Sequence, residues 1–149
     1  RTYEDVMATS NAPPPFTLEF WADERGREPV REWLKDLPKA TRKLAGGLMN
    51  DVLQWHGTNV CETRRGRHVA PGIFEFRIDD TLELRVGNAR RVSRVVLRIF
   101  CHAYGEQLVL LLAAYDKGAS PGKKRQQAEI GTAKQRLSSW QERRRRASQ

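Results

Sequence analysis

A chain of 149 residues has room for one domain with one hydrophobic core. Its net charge of +9 sits beside several dense apolar runs, which excludes a wholly disordered chain. The longest of those runs, residues 108–115, is far too short to cross a bilayer.

The charge is unevenly placed. Residues 1–116 hold 17 basic and 16 acidic side chains, whereas residues 117–149 hold 10 and 2. A basic C-terminal segment makes nucleic acid, RNA above all, the leading partner class. Cys61 and Cys101 form no CxxC pair and no disulfide framework. With no signal peptide expected, a cytoplasmic location is the default.

Residues 1–15 end in APPP without an apolar period and read as a flexible arm. In FTLEFW, Phe16, Leu18 and Phe20 alternate with Thr17 and Glu19, the pattern of a first strand. Pro29 suits a first helical position, and Val30, Trp33, Leu34 and Leu37 follow the helical spacing until Pro38. A second helix is predicted over 40–56, with Leu44, Leu48, Val52 and Trp55 as its stripe and Gly57 as its C-cap. Gly46 and Gly47 weaken it locally. The two helices read as an antiparallel hairpin covering one sheet face.

Residues 58–71 read as a polar loop carrying Arg64, Arg65, Arg67 and His68. GIFEFRID (72–79) is the second strand, and residues 79–93 suggest a small extra hairpin turning at Gly87-Asn88. RVSRVVLRIFCHAYG is a long strand, and QLVLLLAAY, apolar on both faces, is a central one. After the DKGASPG loop, residues 123–146 form a basic helix docking through Ala128, Ile130, Ala133, Leu137 and Trp140, with a frayed RRRR tail. The order β–α–α–β–(hairpin)–β–β–α predicts an α+β fold with a mostly antiparallel sheet. Residues 16–140 are expected to form the single domain and 141–149 a basic tail.

Strand alternation assigns the charges to one face. Arg77 lies opposite Phe74, Phe76 and Ile78, and Arg98 lies opposite Val95, Leu97, Ile99 and Cys101. If the apolar faces meet the helices, Arg77 and Arg98 emerge together on an uncovered face, with Glu75 and His102. Arginine presents a planar fork of donors matched to phosphate. Arg64, Arg65, Arg67 and His68 would form the rim, and Lys123 and Lys124 add charge at the start of the last helix. The plainer reading is a solvated sheet face in which Glu75 pairs with Arg77 or Arg98 across strands. His56, His68 and His102 share no ligand spacing, so no metal site and no cofactor is expected.

Four stretches in order then resemble the RelE/ParE toxin superfamily, and within it the phage-derived HigB-like branch. They are EFWADERGREPVREWLKDLP, GIFEFR, LRIFCHAYGEQLVLLLAAYDKGASP and AEIGTAKQR. The resemblance covers roughly residues 16–140. It implies a RelE-like fold, an N-terminal helical hairpin and a C-terminal basic helix. It implies a toxin of a type II toxin–antitoxin system that cleaves mRNA on the ribosome without metal and is silenced by a cognate antitoxin, expected to be a helix-turn-helix protein. Arg77 and Arg98 match the family's strand arginines, Arg67 its basic loop residue, and Tyr115 and Lys117 its aromatic and lysine after the last strand.

In the chemistry so implied, an RNA 2′-OH attacks the adjacent phosphorus, leaving a cyclic phosphate and a 5′-OH. Arg77 and Arg98 would stabilise the phosphorane charge and Arg67 and Lys117 would hold phosphate. Tyr115 or His102 would move protons or stack a base, and Glu75 would orient the arginines. Residues 80–93 stand as an insertion beside the family's short connection, and the DKGASP loop lacks the family's paired lysines, with Asp116 intruding there. A ParE-like gyrase-inhibiting toxin and a non-enzymatic nucleic-acid- or partner-binding module are the alternatives.

Overall fold

The computed structural model describes residues 12–149, so most of the expected arm lies outside the described residues. Five strands form one open sheet in the order β1-β5-β4-β3-β2. They are β1 (Thr17–Phe20), β2 (Gly66–Ala70), β3 (Ile73–Val86), β4 (Ala89–Tyr104) and β5 (Leu108–Asp116). Only β1, beside β5, runs parallel to its neighbour. The fold is α+β with a mostly antiparallel sheet.

Helix α1 (Pro29–Asp36) opens on the proline that fits its first turn and ends where Pro38 follows. Helix α2 (Lys39–Leu48) continues through a wider π-helical segment, Met49–Leu53, and a last turn, Gln54–His56. Gly57, at φ +53°, ends it. Val30, Ala45, Met49 and Leu53 bury themselves against Phe74, Phe76, Ile78, Val95, Leu97, Ile99, Val109 and Leu111. This is the main core, and it lies on the sheet face that the strand alternation marks as apolar.

The other face is not uncovered. Helix α3 (Lys123–Ala147) lies along it and seats Ile130, Ala133, Leu137 and Trp140 on Ile73, Phe100, Leu110, Leu112 and Tyr115. Burying apolar side chains of that size supplies the drive, at roughly 1.5–3 kcal/mol for each one fully buried. The result is three layers with the sheet in the middle.

Other expectations also change. The stretch read as a polar loop holds a 3₁₀ segment, Gly57–Glu62, and the edge strand β2. The extra hairpin is no separate unit, because β3 and β4 stay paired without interruption to Val86↔Ala89. The arginine-rich end is helical through Ala147 rather than frayed. Arg143 and Arg144 anchor it: Arg143 donates to the Ala22 carbonyl at 2.8 Å, and Arg144 stacks 4.3 Å from the Tyr104 ring centre. Among the described residues, no helix is long and apolar enough to cross a membrane.

Candidate nucleic-acid interface

Cross-strand register builds the site. Residues opposite each other on neighbouring strands point to the same face. Arg77 of β3, Arg98 of β4 and Tyr115 of β5 are successive partners and so form one row across the sheet. The next row holds Arg67 of β2, Glu75 of β3 and Phe100 of β4. Both rows lie on the α3 face, next to the first turns of that helix.

Glu75 is the hub, with no exposed surface. Its carboxylate lies 3.3 Å from Arg67 Nε, 3.4 Å from Arg98 Nε and 3.7 Å from Arg77 Nε. Gln126, on the first turn of α3, donates to Glu75 Oε1 at 3.2 Å. Two like charges placed opposite each other, as Arg77 and Arg98 are, repel, and a buried carboxylate between them offsets that repulsion. Arg98 is nearly as buried, at 3 % exposure, and donates through Nη1 to Asp79 at 3.1 Å and to its neighbour's carbonyl, Leu97 O, at 2.9 Å.

The pairing is incomplete. Glu75 Oε2, Arg77 Nε, Arg98 Nε and Tyr115 Oη are buried atoms without a hydrogen bond, although three of them sit in ion pairs. Arg67 and Arg77 remain partly open to solvent on the outer side. Three arginines and Lys117 thus face Glu75 and Asp79, leaving an excess of positive charge with unused donors. An anion with several oxygens, such as a phosphodiester, matches that excess.

Lys117 belongs to this group electrostatically. Burial and the charges of Arg98, Arg77 and Arg67 hold its ammonium below the ordinary lysine range, against the opposing pull of Glu75. Its loop is fixed by Asp116, whose carboxylate accepts from the Ala119 amide at 3.1 Å while the Gly118 amide donates to Val96 O at 3.1 Å. Asp116 is therefore a loop former and not an intruder among the basic groups.

The Tyr115 ring lies inside, stacked on Phe100 at 6.2 Å with an interplanar angle of 6°, and Arg125 sits 5.4 Å from its centre. No ring face is left for a base. Burial pushes its phenol up, with Arg98 only partly opposing, so the hydroxyl is a proton donor rather than a base at neutral pH.

Other expected residues are elsewhere. His102 lies four residues along β4 from Arg98, roughly 13 Å away at strand spacing. There its Nδ1 donates to the Gly72 carbonyl at 2.6 Å and its ring meets Trp140 edge-on. His68 is opposite Phe74, on the α1/α2 face, the reverse of Arg67. Arg65 forms a two-pronged pair with Asp80, at 2.9 and 3.4 Å, and so serves the fold. Arg64 lines a small cleft of about 120 Å³ with Arg65, Arg77 and Asp79. Lys123 and Lys124 are exposed on the first turn of α3, beside Gln126.

Asp79, Arg125 and Gln126 are site residues that the sequence reading missed. Asp79 shared its face with Glu75 and Arg77 by simple alternation and could have been found. Gln126 lies 51 residues from Glu75 and gave no such signal. Cys101 packs in the core, and burial pushes its thiol up. Among the described residues, no cluster of three or more His, Cys, Asp or Glu side chains suited to a metal ion occurs. No protein-family model matches the chain, and no curated protein matches it.

Proposed function

We propose that this chain is a toxin of the RelE/ParE superfamily, of the HigB-like branch, and acts as a ribosome-dependent, metal-independent mRNA endonuclease. On that reading the fold is RelE-like, α1 and α2 are the family's N-terminal helical hairpin, and a helix-turn-helix antitoxin is the cognate partner. The observation that supports it best is the row Arg77, Arg98, Tyr115 on one sheet face, with Glu75 beneath and Lys117 beside it.

The proposed chemistry follows from which groups can reach the RNA. Arg77 and Arg67, on the outer side, grip the non-bridging oxygens of the scissile phosphate. As the 2′-OH gives up its proton to water and its oxygen attacks phosphorus, and as the bond to the 5′ oxygen breaks, charge builds on those oxygens, and fixed guanidinium groups stabilise it. Arg98 acts from below, holding Glu75 and Asp79 and adding its field. Lys117, whose ammonium is made more acidic by its neighbours, gives a proton to the departing 5′ oxygen. The Tyr115 hydroxyl, buried and without a partner, stays out of reach of the RNA, and its ring supports the row from inside.

The test uses Arg77→Ala, because Arg77 is part-exposed whereas loss of the buried Arg98 would leave Glu75 under-compensated and endanger folding. Induced wild-type chain should arrest growth and produce mRNA fragments with new 5′-OH ends on translated messages. Arg77→Ala, at equal soluble level, should lose both by at least about 100-fold, the cost of removing one charge-stabilising donor. Intact mRNA with damaged DNA would select the gyrase-directed alternative. Intact mRNA and DNA with retained RNA affinity would select the binding-module alternative.

A further inference from the structure

Beyond Asp79 and Val96, β3 and β4 leave the body of the sheet and run on as a free two-stranded ribbon. Their pairing holds from Thr81↔Arg94 to Val86↔Ala89, and Gly87 turns the chain at φ +64°. At strand spacing the six residues on each side reach roughly 20 Å. Only Leu82 still packs on the main core, whereas Leu84, Val86 and Val92 are 39 %, 59 % and 62 % exposed. An isolated hairpin is at best marginally stable in water. This one gains little burial in return for its length.

Its two sides differ. Partners share a face, so the row of Arg77 and Arg98 can be followed outward on the same side. Next come Asp79 and Val96, then Thr81 and Arg94, then Glu83 and Val92, and at the tip Arg85 and Arg90. The opposite side carries Leu82, Leu84, Val86 and Ala89, with Arg91 and Ser93. Arg94, Arg90 and Arg85 are exposed, and Glu83 offsets only Arg90, through an exposed ion pair of little energetic weight. The positive side of the ribbon is thus continuous with the charged side of the site, while the apolar side continues the face packed by α1 and α2. The right-handed twist of a free ribbon turns this stripe gradually, so the path it offers is curved.

We infer that the ribbon is a guide for the RNA strand: Arg94, and beyond it Arg90 and Arg85 side by side at the tip, hold phosphates on one flank of the bond gripped by Arg77 and Arg67. This rests on the endonuclease reading for its substrate. Arginines at the middle and the tip of one ribbon face favour a polyanion over a protein partner. The stripe carries one apolar residue, Val92, and no aromatic anchor of the kind that dominates protein–protein contacts. Each phosphate neutralised releases counterions, so the contribution of the stripe must be salt-dependent.

The experiment measures binding without cleavage, with 2′-O-methylated RNAs of mixed sequence, one long and one only a few nucleotides long, against wild-type full chain. The expected results are tighter binding of the long RNA, and about tenfold weaker binding of it by the triple variant Arg85→Gln, Arg90→Gln, Arg94→Gln. The slope of log affinity against log salt should fall by about 2, as three single-strand phosphate contacts require. Affinity for the short RNA should stay the same, and the triple Arg→Lys variant should keep most of the long-RNA affinity. Equal binding of both RNAs by wild type, an unchanged slope in the Gln variant, or equal losses in the Lys and Gln variants would each overturn the guide. Because nothing is cut, a failure of the endonuclease reading shows separately, as absent 5′-OH ends in cells.

Discussion

Glu75 carries the logic of the site at the scale of one residue. A carboxylate without solvent needs compensation, and guanidinium groups at 3.3, 3.4 and 3.7 Å supply it. The same carboxylate lets Arg77 and Arg98 face each other across β3 and β4. Its pairing with Arg77 was legible from the period of two in GIFEFRID; its burial was not, because alternation says which side a residue takes and not what lies over that side. Lys117 yields a pH prediction. Its folded pKa lies below the unfolded one, so between the two the unfolded chain binds more protons. Its contribution to stability is therefore unfavourable below that window and improves as pH rises through it. RNA binding has the opposite trend, since raising pH through the folded pKa removes a charge from the phosphate site. Affinity for 2′-O-methylated RNA should begin to fall at a lower pH than an ordinary lysine dictates. Lys117→Arg should flatten that fall, and a titration of binding against pH in both proteins checks it.

Among the elements, α2 and its exit fix where β2 and the site begin. Gly57 takes φ +53° and ψ −132°, and a Cβ placed there would sit 2.7 Å from Cζ of Phe16. That ring cannot yield easily, since Phe16 packs on the main core. Gly57→Ala should cost at least about 1–3 kcal/mol from backbone strain, with the clash added. Gly46, inside α2, has nothing within 4 Å of its Cβ position. Gly46→Ala should stabilise the protein by about 0.5–1 kcal/mol. Urea unfolding of the two variants checks both signs at once. The helix stop at Gly57 was legible from its place after the apolar stripe. Strand β2 was not, because GRHVA is a short edge strand with two exposed polar residues, and its pairing with β3 rather than its composition makes it a strand. The outer halves of β3 and β4 looked like a separate hairpin for a related reason: Asp79 and Asp80 break the apolar alternation while the backbone ladder continues past them.

For the whole molecule, the deciding step is how α3 closes the second face. The helix stripe of Ile130, Ala133, Leu137 and Trp140 was legible in the sequence, whereas its complement, Phe100, Leu110, Leu112 and Tyr115, was hidden in strands that carry apolar residues on both faces. Neither is stable in water, and in the folded chain each covers the other. The charged rows survive only at the end of the sheet where α3 begins. That arrangement also divides the four terminal arginines by role. Arg143 and Arg144 stack on Trp21 at 5.5 Å and on Tyr104 and Trp140 at 4.3 and 4.8 Å. Arg145 and Arg146 meet only Glu142 through exposed ion pairs. Exposed cation–π contacts contribute about 0.5–1 kcal/mol each, and exposed ion pairs often nothing measurable. Arg143→Ala with Arg144→Ala, which removes all three contacts, should therefore lower the unfolding free energy by about 1.5–3 kcal/mol. Arg145→Gln with Arg146→Gln should leave it unchanged within about 0.5 kcal/mol. Both pairs remove two positive charges, so non-specific RNA affinity should fall comparably in the two variants. Unfolding and RNA-binding curves on the same samples check this; equal stability losses in the two variants would mean that aromatic stacking does not hold the end of α3.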